Sequence, residues 1–363
     1  MKANQKRCGN LTRRFSGVMA LVCLIAAPLF AERLAIKTYT VADGLAHGSV
    51  NRIFQDAKGY IWLATNEGLS RFDNYRFTNY GVGDGLPHVF INDVTADRQG
   101  RLWVATNGGG VARLMDDPIE RRAARDVPSL NGPPVDGKKF VSYLVEDGGE
   151  KNKANLVNRI LFDAANRLWC VTDAGLYRAK SIGVVDKQFE RVAPGTQPYT
   201  GNGVLSDSRA RLWFGVNARA IQVADGQVTS STPAREINPA GQSSFFEHIN
   251  SIVETKGGLV LAADAKNIYE FVEPASGRDA WRRLPLALSS DQYIVTVHPA
   301  RDGGLWIGTT AGLIRYRDGQ QALYTTANGL SANHAGALFT DRENNLWIGM
   351  AGGGLNKLTG ESV

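Results

Sequence analysis

Cysteine is almost missing from this chain: there are three in 363 residues, and Cys8 and Cys23 both fall within the first 31. Without those two, no disulfide can form within one chain, so the fold must hold together without a covalent cross-link. Long apolar runs are scarce as well. The one that stands out, Phe15 to Phe30, is shorter than the roughly 20 residues a membrane span needs. It follows Lys2, Lys6, Arg7, Arg13 and Arg14 and ends at Ala31, the order of a secretory signal peptide over residues 1–31. Val22 withholds the small residue that lipoprotein processing prefers before a cysteine such as Cys23. A basic excess is lacking too. The formal charge of +6 falls to +1 once the five basic residues of the leader are set aside. That is too little for a phosphate-binding surface, so no nucleic acid partner is expected.

Signatures of catalysis are equally absent. The chain shows no Ser-His-Asp order, no Gly-x-Ser-x-Gly, no phosphate loop and no metalloprotease helix. No catalytic residue, cofactor or metal is therefore expected. A pair of carboxylates for glycoside cleavage stays an open alternative, because Asp and Glu from separate segments can converge.

What the chain does have is a repeat, written seven times. Its clearest copy runs from Asp97 to Leu114, and its first from Asp56 to Arg71; later copies centre on Trp169, Trp213, Val260, Trp306 and Trp347. Asp followed three residues later by Gly suits a tight turn, with the carboxylate accepting a backbone N–H and Gly supplying a positive φ. Asn166 and Asn344 take the Gly slot in two copies, since Asn tolerates that conformation next best, while Ala210 there is costly. Leu-Trp-Val-Ala-Thr then reads as a short strand buried on both faces, and Cys170 in that strand reads as an inert buried thiol. Periods of 41 to 47 residues, with one of 66 explained by an insertion at 116–137, indicate four strands per repeat. The fold predicted is all-β: a seven-bladed β-propeller of four-stranded antiparallel blades over residues 32–363.

Closure is read from a second register. Tyr80, Tyr143 and Tyr324 each stand four residues before an Asp-Gly or Asn-Gly pair, and so does Tyr39. Residues 34–40 thus form a strand without a blade of their own, while the last copy has three strands. The N-terminal strand is expected to complete the seventh blade and close the ring.

Copies close to the form Asp-x-x-Gly-x-Leu-Trp-Ile-Gly-Thr-x-x-Gly-Leu, as at 300–313 and 341–355, resemble the two-component regulator propeller repeat. The resemblance implies an extracytoplasmic sensor-type domain of the kind borne by membrane histidine kinases, often hybrid kinases that respond to carbohydrates. The chain reaches only just past the seventh blade, so no kinase activity is expected of this sequence. A periplasmic or secreted location follows from the leader. The ligand expected is a polar small molecule or oligosaccharide, with a membrane histidine kinase or a second copy as protein partner. An exported propeller enzyme acting on polysaccharide and a protein-interaction scaffold are the alternatives.

Residues required by every blade are scaffolding, so ligand contacts are sought where copies differ. In the loops joining strand b to c and strand d to the next a, which share one face of the ring, these are Asn66, Glu67, Asn107, Asp173, Asn217, Arg219, Asp264, Lys266 and Tyr293, with Tyr199 and Asn202 beside them. His47, His88 and His334 fall in the same loops of neighbouring blades. They are expected to respond to pH near an anionic ligand rather than to close on a metal ion.

Overall fold

The computed structural model describes residues 35–115, 138–180, 189–192, 203–216, 219–224, 227–231, 248–272 and 280–360. The leader at 1–31, the insertion at 116–137, and Tyr199, Asn202 and Asn217 lie outside the described residues, as does the side chain of Arg219.

Seven four-stranded antiparallel sheets form the molecule. In blade one the strands are a, Val50–Gln55; b, Ile61–Thr65; c, Gly68–Phe72; and d, Phe77–Tyr80. Strand a of each blade packs against strand a of both neighbours, and the series closes with Ala335–Thr340 of blade seven on Val50–Gln55 of blade one. A seven-bladed propeller is the result. The strand Ile36–Tyr39 supplies the outer strand of blade seven, pairing Ile36 with Leu358 and Tyr39 with Leu355. Its Tyr39 is buried against Phe72, Phe77 and Trp347, with ring centroids 4.9, 5.9 and 6.0 Å away.

The turn between strands a and b explains the repeated Asp. In blade one, Oδ1 of Asp56 accepts the backbone N–H groups of Lys58 and Tyr60, and Oδ2 accepts the indole N–H of Trp62 at 2.8 Å. The same clamp joins Asp97 to Trp103, Asp163 to Trp169, Asp207 to Trp213 and Asp341 to Trp347. Burial alone would raise the Asp163 and Asp207 carboxyls, but the indole and arginine donors outweigh it and hold both below the usual range. Each clamped indole is thereby aimed into the gap toward the next blade, and every gap holds one apolar cluster. Across strand c a cation faces the ring in five blades: Arg71, Arg113, Arg178, Arg315 and Lys357 lie over Trp62, Trp103, Trp169, Trp306 and Trp347.

Blade five corrects the sequence register by one residue. Leu261, not Val260, pairs as the tryptophans do and fills the gap between blades five and six. Thr255 replaces the Asp there, and Glu270 replaces the cation opposite. Clamp, indole and cation are lost together. Blade six keeps the tryptophan but has Ala300 at the Asp position, although its turn retains the same backbone bonds. The Trp306 indole nitrogen is consequently buried without a hydrogen-bond partner. The turn residues read as left-handed are so: φ is 60° at Asn166, 67° at Asn344 and 62° at Ala210.

Two outcomes follow. Ala300→Asp should stabilise the protein by about 1 kcal/mol in urea unfolding, by giving the stranded indole an acceptor; no gain would mean that the clamp contributes nothing net. Tyr39→Ala should cost about 3 kcal/mol, as for a buried aromatic in any core, whereas Val41→Ala on the exposed turn beside it should be nearly silent. Equal effects of the two would dissolve the closing strand as a stabilising element.

Candidate functional site

The seven a strands enclose a central channel of about 600 Å³, well within the range of small-molecule sites. Its wall begins, on the face of the d-to-a and b-to-c loops, with an amide belt. Asn51, Asn92 and Asn250 each donate to the backbone carbonyl that opens the next blade's inner strand, at Ile91, Val157 and Ile294. Asn158 instead donates to Asp173 at 2.8 Å. One residue further along, the wall becomes charged on one side only. Arg52, Asp93 and Arg159 occupy equivalent positions in blades one to three, where blades four to seven have Gly203, Ser251, Thr296 and Ala337. Arg52 Nε lies 3.2 Å from Asp93 Oδ1, and Arg159 donates to the Asn92 carbonyl at 2.8 Å. Burial lowers the Arg159 guanidinium to about 10, with Asp93 opposing and Arg52 reinforcing the shift. The far end is more apolar, with Phe54, Leu205, Val253 and Phe339. His298 lies there too. It is bonded to Thr340 at 3.0 Å and driven to about 4, first by burial and then by the Arg52 charge.

Of the residues singled out from the sequence, His334 lines this channel directly, at the loop end. Burial pushes its imidazole below the ordinary value. Asn66 and Asp173 stand one step behind the wall, where their side-chain oxygens accept from Asn51 and Asn158. His47 and His88 are brought into identical local roles, each accepting through Nδ1 the N–H two residues on, at Ser49 and Phe90. That bond requires an unprotonated Nδ1. Lys266 and Tyr293 are brought together, with the ammonium 3.9 Å above the ring. The same ammonium is held by the carbonyls of Ser289, Ser290 and Gln292, so it fastens a loop. Asp264 is buried in the adjoining turn, accepting from Lys266, Asn267 and Tyr269. Glu67 is exposed, and Asn107 bridges through its backbone to Phe90 and Leu156. Among the described residues no three His, Cys, Asp or Glu side chains gather closely enough to hold a metal ion.

Reading the loops overlooked the inner strand. The signal was present: Asn stands five residues before the a-to-b turn at positions 51, 92, 158, 202 and 250.

Comparison with known proteins bears out the resemblance carried by the repeats. Residues 44–67 and 85–108 match the family model of the two component regulator propeller. Among curated proteins none matches the chain in sequence. Two solved structures from B. thetaiotaomicron, both described as extracellular domains of hybrid two component systems, are similar in fold. One has a TM-score of 0.67 at 18% identity over 91% of this chain, the other 0.64 at 20% identity over 90%. The chain spans 43% and 42% of their respective lengths. Virginiamycin B lyase from Staphylococcus aureus is similar as well, with a TM-score of 0.64 at 13% identity, covering 89% of this chain and 98% of the lyase. At such identities the likeness shows the propeller fold alone, and it is shared by sensor domains and enzymes.

His298 and His334, both partly buried, give the fold an acid sensitivity. Because the His298 pKa is lowered on folding, the unfolded chain binds more protons between its ordinary value near 6.5 and about 4, and stability falls as pH falls through that window. The loss amounts to about 3 kcal/mol at most. His298→Gln should flatten the melting temperature between pH 6.5 and 4, with His334 supplying the remaining slope. An unchanged profile would show that His298 titrates normally.

Proposed function

We propose that this chain is a ligand-binding propeller of the two-component sensor type, working outside the cytoplasm and recognising a carbohydrate or another polar ligand. The observation that carries the reading is the match of its repeats to the two component regulator propeller. Two further points support it: the basic stretch and apolar run of the leader, and a channel whose size and mixed polar lining suit a small polar ligand. Binding would be passed on to a membrane histidine kinase or a second copy of the chain. The likeness to virginiamycin B lyase over nearly the whole of both chains supports a second reading, an exported enzyme that cleaves a polysaccharide.

Thermal melting against a panel of soluble oligosaccharides tests both. A sensor-type module should show a saturable rise in melting temperature with one ligand class, worth about 2.7 kcal/mol at one hundred times the dissociation constant, and chromatography should recover that ligand intact. Recovered cleavage products would replace the first reading by the second.

A further inference from the structure

We propose that the basic side of the central channel is an oxyanion site: Arg52, backed by Arg159, takes the carboxylate or phosphate group of a small ligand whose neutral body lies against the opposite wall. The inference deepens the reading of the chain as a binding module and rests on it.

The first ground is an imbalance of charge at one level of the channel. Two guanidiniums share one carboxylate, and that carboxylate is fully occupied. Asp93 is 1% exposed, and besides Arg52 it accepts the backbone N–H groups of Val94 at 2.9 Å and Ile160 at 3.0 Å. Asp93 therefore fixes the Nε edge of Arg52 while itself out of reach of any ligand. The Arg52 side chain stays 45% exposed, against 2% for Asp93. A planar donor group held along one edge and open to a cavity is the arrangement that recognises carboxylates and phosphates.

The second ground is that, among the described residues, no carboxylate other than Asp93 stands at the level of Arg52 in the channel. Glu254 is the channel's other carboxylate. It belongs to the far end of strand Ser251–Glu254, and its oxygens are taken by the backbone and hydroxyl of Ser208. His298 and His334 stay uncharged at neutral pH. The excess positive charge thus sits in a narrow, partly desolvated space, where an anion is attracted more strongly than at an open surface.

The third ground is room on the facing side. At this level blades five and six, across the ring from blade two, carry only Ser251 and Thr296, and both line the channel. The asymmetry matches a ligand with one charged end and an uncharged body. Apolar Phe54 and Phe339 below offer flat surfaces for such a body.

The test is calorimetric titration of the full chain with inorganic phosphate, glucuronate and glucose. Glucuronate and phosphate should bind and compete with each other, weaken with added salt, and exceed glucose by about tenfold or more. Arg52→Gln should cost both anions about tenfold; because it also takes the ion-pair partner from buried Asp93, binding is measured well below the variant's own melting temperature, and Arg52→Lys, which keeps the charge, should recover part of the affinity. Thr296→Leu should weaken glucuronate more than phosphate by filling the opposite wall, and it marks the channel rather than the rim as the place of binding. Anion binding indifferent to Arg52→Gln, or no binding of either anion, would overturn the site. Saturable binding of neutral saccharides unaffected by Arg52→Gln would remove the oxyanion site yet keep the binding module. Phosphate binding that depends on Arg52, with no saccharide bound, would keep the site and remove the carbohydrate reading.

Discussion

The clamp between an aspartate and a tryptophan six residues later organises this molecule. A single carboxylate there accepts the backbone N–H groups of its own turn and the indole N–H of the following strand. One charge thus does the work of both a turn former and a rotamer lock. Burying such a carboxylate is costly, and it is tolerated because every oxygen has donors, several of them charged-assisted by Arg101, Arg167 and Arg211. The indole so fixed becomes the largest apolar piece in its gap between blades. Local turn chemistry is thereby tied to long-range packing, which is how a short motif can specify a ring.

Blades five and six show what the clamp does by lacking parts of it. Where the Asp is lost but the Trp remains, the indole is stranded at Trp306, and Arg315 stacked 4.9 Å from its ring is left to hold it. Where both are lost, a leucine fills the gap and the cation above it becomes Glu270, which turns to Arg282 on the outer strand instead. Only in blade five are all three lost together; blade six keeps the indole and its cation without the acceptor, at the cost of a buried polar group left unbonded.

Much of the fold was legible because the repeat writes its constraints locally. The Tyr-to-Gly register carries the same capped turn in three d-to-a loops, with Gly44, Gly85 and Gly329 at φ near +100° and Leu45, Leu86 and Leu330 buried behind them. Seeing that register at Tyr39 was enough to place the closing strand. Blade five slipped by one residue because Thr255 and Leu261 left no clamp from which to count. The bonding of the loop residues was hidden for another reason. Lys266 and Tyr293 look like free ligand-binding groups in sequence, yet the ammonium's partners are carbonyls more than twenty residues away, and backbone acceptors leave no trace in a sequence.

Symmetry decides where a site can arise in such a ring. Seven near-equal blades around an axis give a channel lined by seven equivalent positions, and equivalent residues there would offer a ligand no orientation. Orientation requires that one arc differ from the rest. The clamp and the gap-filling positions are barred from supplying that difference, since a change there is a loss of packing. Loop tips are permitted to vary, but Lys266, Asp264, His47 and His88 are engaged in holding their own loops. The inner strand is where the copies differ in chemistry at little cost to the blade, because several of its side chains line the channel rather than the apolar gaps between blades. There the chain places Arg52, Asp93 and Arg159 on one arc and Gly203, Ser251, Thr296 and Ala337 on the other. Among the described residues, this polar difference between the arcs of the inner strand is one that breaks the ring's symmetry inside the channel.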